Sequence, residues 1–182
     1  MASIITATNS SGLTTSADNS GVLQLASGTG HLVTVPSVTG TAMVSGNMPA
    51  FSAYQNATQS ISSSVETKIQ FNVEDWDTAN CYSTSTYRFT PNVAGYYQIN
   101  LTVSCQSFSG STQPSIWKNG SPWMYGPYPN TSSGVPNWAG LSGLVYFNGS
   151  TDYIEAYFFS TASSTLQGNS LYRFQGVLVR TA

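Results

Sequence analysis

The chain has 182 residues, of which 40% are hydrophobic and only 7% are charged, and its net charge is −2. Ordinary domains carry about 25% charged residues, so this surface must be built from Ser, Thr, Asn, Gln and Gly. A protein that binds nucleic acid through phosphates gathers Lys and Arg on one face. The basic residues are scattered along the sequence, which excludes such a protein: Lys68, Arg88, Lys118, Arg173 and Arg180.

The beginning of the chain lacks the features of an export signal. The first residues carry no basic side chain and no long apolar run. No segment approaches the ~20 apolar residues that a membrane-crossing helix needs. We therefore expect assembly in a cytosol, no membrane insertion, and release by cell lysis if the protein acts outside the cell.

Residues 1–47 differ in amino-acid composition from the rest of the chain, because they contain no aromatic residue and no Lys or Arg. Alone, such a segment buries too little apolar area to offset its chain entropy. It is either a disordered tail or a set of short strands that fold against sister chains or a larger scaffold. The strand-like pieces Val22–Leu25 and Leu32–Val35 favour the second interpretation, an extended β-rich attachment segment.

From Met48 onward the sequence is rich in aromatic residues and reads as β structure. Asn119-Gly120 and Asn148-Gly149 are strong signals for turns between antiparallel strands. Many short strands joined by such turns predict a sandwich, barrel or jelly roll. The predicted strands are 50–54, 68–73, 88–90, 96–106, 114–118, 141–147, 152–159 and 172–180.

The clearest predicted strand is 96–106, because apolar and polar residues alternate from Tyr97 to Cys105. Alternation places one set of side chains in the core and the other toward solvent. Cys105 continues the apolar face and is predicted to be a reduced core cysteine. A disulfide with Cys81 remains the alternative if the folded protein meets oxidising conditions.

Several short pieces of the aromatic part occur in a set order along the chain: Pro49–Tyr54, Thr67–Phe71, Tyr87–Pro91, Gly95–Tyr97, Trp117–Gly120, Asp152–Ile154 and Phe174–Leu178. Together, over about residues 48–180, they resemble the globular head of the complement component 1q and tumour necrosis factor superfamily. This resemblance implies an all-β, antiparallel two-sheet jelly-roll sandwich that assembles as a tight homotrimer. It also implies a binding module without catalysis.

A second and shorter resemblance concerns the piece Gly21–Ser27, which resembles segments in marine bacteriophage fibre and appendage proteins. The collagen-like repeat that is common before animal heads of this superfamily is absent from residues 1–47. We therefore predict a virion structural protein: a tail fibre, spike or capsid decoration. Residues 1–47 would bind other virion proteins, and the head would bind a host-surface glycan or protein. The alternative is a bacterial soluble lectin-like or adhesin module.

Catalysis has little support in the sequence. A Ser-His-Asp arrangement needs an imidazole as its base, and the single histidine, His31, lies in the aromatic-free segment. Neither a nucleophile elbow nor a phosphate-binding loop occurs. We expect no enzyme and no cofactor.

The acidic stretch Glu74-Asp75-Trp76-Asp77 could contribute carboxylates to a calcium ion. It lacks the spacing of an EF-hand, so a solvated loop is the preferred interpretation. Calcium stays open because the superfamily sometimes binds it.

The aromatic, proline-rich stretch from Trp123 to Pro129, followed by Trp138, reads as a recognition loop. Trp and Tyr faces suit sugar rings and protein partners alike. The alternative is that Trp123, Tyr125, Tyr128 and Trp138 pack between protomers or cap the sandwich.

The head contains more aromatic rings than one sandwich of this size can bury. Neighbours such as Tyr157 and Phe158 must face opposite sides of one strand. The surplus rings need a partner chain, which favours a homotrimer. The rings predicted to build the core or the trimer contact are Phe51, Tyr54, Tyr97, Tyr157, Phe158 and Phe174.

Overall fold

This computed structural model describes strands 23–26 and 32–35 and residues 48–106, 109–131 and 137–182. The chain divides into two compact units, Met1–Thr41 and Ala42–Ala182. In the first unit, β1 (Leu23–Ala26) pairs antiparallel with β2 (Leu32–Val35). His31 lies outside the described residues. The predicted boundary after residue 47 remains a prediction.

The described part of the second unit is built from β strands alone and holds no helix that could cross a membrane. Its strands are β3 (Ala50–Tyr54), β4 (Gln59–Ile61), β5 (Thr67–Lys68), β6 (Val73–Asp77), β7 (Tyr82–Ser83), β8 (Arg88–Phe89), β9 (Ala94–Cys105), β10 (Gly110–Lys118), β11 (Ser121–Tyr125), β12 (Asn130–Thr131), β13 (Asn137–Asn148), β14 (Ile154–Ser160), β15 (Ser164–Leu166) and β16 (Arg173–Thr181).

These strands form two antiparallel sheets. The first sheet has the order β11-β10-β14-β8-β7, with β12 on β10 and β5 on β14. The second sheet has the order β4-β15-β9-β16-β3-β6, with β13 on the other side of β9. Strands distant in sequence, such as β3, β16 and β9, are neighbours. The predicted all-β, two-sheet jelly-roll sandwich is confirmed.

The core lies between the sheets, and β9 shows how the sequence builds it. Tyr97, Ile99 and Leu101 are fully buried, while Tyr96 on the other face is exposed. The alternation predicted for this strand is confirmed from Tyr97 to Val103, whereas Ser104, a polar residue of the alternating stretch, is buried. Aromatic rings fill the centre, where Phe51 stacks on Phe89 with ring centroids 4.3 Å apart. Cys81 and Cys105 are both buried thiols.

The strand predicted for 68–73 is wrong in its extent. Lys68 ends β5 in the first sheet, and Val73 begins β6 in the second. Between them the chain crosses the core, where Ile69 and Phe71 are buried. Apolar residues at alternate positions predict a strand. The same pattern arises where the chain passes through the buried core from one sheet to the other.

The two Asn-Gly turns form as predicted. Asn119 and Gly120 both have positive φ, 53° and 79°, as a two-residue hairpin turn requires. Gly149 has a φ of 74°, and the Asn148 side-chain oxygen accepts the amide hydrogens of the three residues from Ser150 to Asp152.

Candidate interaction surfaces

An apolar patch lies on the outer face of the second sheet. We define it by five exposed side chains: Tyr96 at 46%, Leu144 at 59%, Tyr146 at 41%, Val177 at 40% and Val179 at 53% exposure. The Tyr96 and Tyr146 rings lie 5.4 Å apart. Scattered single apolar residues are normal on a surface, but a contiguous group marks an interaction site.

The register of β13, β9 and β16 gathers these side chains at one end of the same face. Tyr96 lies opposite Tyr146, and Gln98 lies between Leu144 and Val177. These strands therefore carry apolar side chains on both faces at this end. Their inner faces supply the core, and their outer faces have no partner within the described part of the protomer.

A polar belt crosses the same face beside the apolar patch. The Gln98 amide donates to the Ser142 hydroxyl at 2.7 Å, and that hydroxyl donates to the Asn100 side-chain oxygen at 2.8 Å. These side chains are thus hydrogen-bonded within one protomer. Covering them with a partner would leave these bonds intact, which removes a main cost of burying polar groups.

The belt continues across β16 and β3 to β6. Buried Ser52 donates to the Asp75 carboxylate and accepts hydrogen bonds from Arg173 and Gln175. Arg173 also forms an ion pair with Asp75. The Asp75 carboxylate, a candidate calcium ligand, is therefore held by an arginine.

The other acidic candidates do not join Asp75. Asp77 accepts the backbone N–H groups of Ala79 and Tyr82, at 3.1 and 2.6 Å, and so shapes the chain that follows β6. Glu74 is exposed. Among the described residues no group of three or more metal-binding side chains converges. The structure thus does not assemble Glu74, Asp75 and Asp77 into a calcium site.

The aromatic recognition loop is partly a strand, which corrects the sequence prediction. Trp123 and Tyr125 lie on β11, an edge strand that forms a hairpin with β10. The Lys118 ammonium lies 5.6 Å from the Trp123 ring and 5.8 Å from the Tyr146 ring. Trp123 is therefore placed near the apolar patch.

The four candidate ligand residues do not form one site. Tyr128 follows β11 and lies 6.3 Å from the Phe159 ring on the first sheet. Trp138 lies on β13 of the second sheet, is 74% exposed, and lines a groove of about 370 Å³ with Leu171 and Thr102. Whether any of these rings contacts a ligand remains a prediction.

The predicted core or trimer aromatics separate into two classes. Four are buried inside the protomer and build its core: Phe51, Tyr97, Phe158 and Phe174. Tyr54 and Tyr157 are half-buried, and Tyr157 stacks on Trp117 with centroids 4.2 Å apart. Other residues therefore form the exposed apolar surface. The sequence signal for this surface is the two runs of consecutive apolar residues, Leu144–Phe147 on β13 and Val177–Val179 on β16, which place apolar side chains on both faces.

A charged cluster on the first sheet corrects the impression that the basic residues are scattered. Glu155, with only 2% of its side chain exposed, accepts from Lys68 Nζ at 2.5 Å and from Arg88 Nε at 2.7 Å. The hydrogen bond that Arg88 donates to Glu155 raises the pKa of Arg88. The strands β5, β8 and β14 bring these three residues together.

Comparisons with known proteins support the fold. No protein-family profile matches the chain, and no curated protein does. The globular domain of zebrafish complement 1qA protein is 17% identical and has a TM-score of 0.55, covering 74% of this chain and 99% of its own. The Eiger TNF of S. frugiperda is 10% identical with a TM-score of 0.57, covering 74% and 92%. Murine APRIL is 12% identical with a TM-score of 0.55, covering 72% and 99%.

Proposed function

We propose that the head is a non-enzymatic binding module that forms a homotrimer through the apolar patch of the second sheet. The single observation that carries this proposal is the exposure of Tyr96, Leu144, Tyr146, Val177 and Val179 on one contiguous face. Removing such a surface from water stabilises an assembly by about 25 cal/mol per Å² of apolar area. The internally bonded polar belt beside it supports the proposal, because it can be covered without losing its hydrogen bonds.

The resemblance to the complement component 1q and tumour necrosis factor superfamily points in the same direction, because it implies a trimer of jelly rolls. Obligate interfaces of this kind bury roughly 2,000–5,000 Å². The outer face of β9, β13 and β16 carries the exposed apolar patch, so we place the contact there.

A pair of matched substitutions tests the patch. Val177 is 40% exposed within it, whereas Val65 is 50% exposed in the segment between β4 and β5. We expect Val177→Lys to dissociate the trimer, because it places a cation in an apolar contact. Val65→Lys is the control and should leave the mass in solution unchanged. Equal behaviour of the two variants in light scattering would contradict the proposed interface.

For the whole chain we propose a bacteriophage virion protein: a tail fibre, a spike or a capsid decoration. Residues 1–47 attach it to other virion proteins, and the head contacts a host-surface glycan or protein. The support is the charge-poor sequence, 7% Asp, Glu, Lys and Arg, and the piece Gly21–Ser27 that resembles phage appendage segments. Assembly takes place in the host cytoplasm, and lysis releases the particle.

Particle fractionation tests this assignment. The full chain should sediment with virions of the phage that encodes it, and a variant lacking residues 1–47 should remain in the soluble fraction. If the full chain stays soluble yet binds glycan arrays as a free trimer, the bacterial lectin-like or adhesin alternative replaces the virion role.

A further inference from the structure

A polar depression of about 400 Å³ opens at the edge of the first sheet, where β5 and β8 meet. Its walls carry hydroxyl, amide and cationic groups and one aromatic ring. The lining residues are Lys68, Gln70, Ser85, Thr86, Tyr87 and Arg88. Polar groups that converge on a concave site can fix the orientation of a bound ligand.

One buried carboxylate holds two of the lining cations in place. Lys68 and Arg88 both donate to the same oxygen of Glu155, and their side chains remain 30% and 38% exposed. Glu155 compensates one of the two positive charges, so the cluster keeps an excess of one. Arg88 bonds to Glu155 through Nε. This bond leaves the two terminal nitrogens of the guanidinium as a fork of donors. Such a fork matches a carboxylate.

The Arg88 side chain is also fixed from another direction. Its guanidinium carbon lies 4.1 Å from the centroid of the Tyr153 ring. A cation held by both a buried carboxylate and an aromatic face loses little conformational freedom when it binds a ligand. The donors are therefore prearranged.

Tyr87 stands where the backbone favours another residue. Its φ is 57°, in the left-handed region, and its N–H closes the turn by donating to the Ser83 carbonyl at 2.7 Å. Gly or Asn adopts this conformation more easily than an aromatic residue does. Because Tyr87 lines the depression and has a strained backbone, a role for its ring in the site is a reasonable hypothesis.

We propose that this depression binds the carboxylate of an acidic sugar, such as a uronic acid. Lys68 and Arg88 bind the carboxylate, the Tyr87 ring contacts the apolar CH face of the sugar, and Ser85, Thr86 and Gln70 bind its hydroxyl groups. The apolar patch lies on the opposite sheet of the sandwich. The site is therefore accessible in the trimer, and it does not depend on attachment to a particle.

Titration of the full chain with two matched sugars tests the site. Methyl β-D-glucuronide and methyl β-D-glucoside differ only at the C6 carboxylate. We expect saturable chemical-shift changes with the glucuronide and at least about tenfold weaker binding of the glucoside. Added salt should weaken the glucuronide complex, because the contact is ionic. Equal binding of both sugars, no binding of the glucuronide, or equally tight binding of inorganic sulfate would overturn the proposal.

Substitutions at Tyr87 separate ligand binding from folding. Tyr87→Gly relieves the left-handed backbone and keeps both cations, so Tm should stay the same or rise while affinity for the glucuronide falls about tenfold. Tyr87→Phe keeps the ring and should retain most of the affinity. If Tyr87→Gly binds the glucuronide as tightly as the parent chain, the ring has no part in the site and the proposal is wrong.

A second variant tests the guanidinium. Arg88→Lys preserves the charge beside Glu155 but removes the fork of donors, and it should weaken glucuronide binding by about tenfold. Arg180→Lys makes the same change at an exposed position on the second sheet and should bind like the parent chain. Unchanged binding by Arg88→Lys would place the sugar elsewhere.

Discussion

At the scale of single residues, the side of the strand on which a side chain lies decides its energetic role. On β9, Ile99 is fully buried, while the neighbouring Asn100 is half-buried and bonded to Ser142. The alternation of the sequence is enough to predict this difference. The hydrogen bond of Asn100 is less predictable, because it requires knowing that β13 lies beside β9.

We expect Ile99→Ala to lower the free energy of unfolding by about 2–5 kcal/mol, because it leaves a cavity between the sheets. Asn100→Ala should lower it by about 0.5–1.5 kcal/mol, the net contribution of one hydrogen bond. Denaturant unfolding at one fixed protein concentration measures both values. A larger loss for Asn100→Ala than for Ile99→Ala would contradict the assignment of the two faces.

Residue identity also did not reveal the cluster of Lys68, Arg88 and Glu155. These residues lie on β5, β8 and β14, which are far apart in sequence and meet only because β14 pairs with both other strands. The charge of each residue can be read directly from the sequence. Their convergence depends on strand order, which local patterns do not contain.

At the scale of elements, the long strands and their tight turns were predictable, and the short strands were not. β9 and β16 have clear apolar patterns, and Asn119-Gly120 marks the hairpin from β10 to β11. By contrast, β7 and β15 have two and three residues. So short a piece has too few positions for alternation to be visible, and its pairing is decided by the neighbouring strands.

Two glycines with nearly the same backbone conformation test how the turns contribute to stability. Gly120 has a φ of 79°, and a Cβ there would meet only the Tyr153 hydroxyl oxygen at 3.5 Å. Gly149 has a φ of 74°, and a Cβ there would lie 2.3 Å from the backbone nitrogen of Ala94.

Gly120→Ala should therefore cost about 1–2 kcal/mol of unfolding free energy from its left-handed backbone alone. Gly149→Ala should cost a further ~1–3 kcal/mol because the backbone must move to make space. Thermal and denaturant unfolding of the two variants, compared side by side, measure the difference. Equal losses would show that β9 and the Asn148-Gly149 turn are not packed as described.

At the scale of the whole molecule, the two outer faces of the sandwich have different compositions. The second sheet presents the apolar patch and the polar belt, and the first presents the depression beside Lys68 and Arg88. We interpret the former as the contact between copies of the chain and the latter as a face for ligands. The aromatic content of the sequence indicated that some rings need a partner, but only the packing shows that Phe51 and Phe174 are core residues and Tyr96 and Tyr146 are exposed.

Sedimentation equilibrium of the full chain measures whether copies of the chain associate as proposed for the second sheet. We predict a single species with three times the mass of the 19.4 kDa chain. We also predict that dissociation of the trimer and unfolding of its protomers occur together, because the protomers are stabilised by their contact. A folded single chain that persists at micromolar concentration would contradict the account.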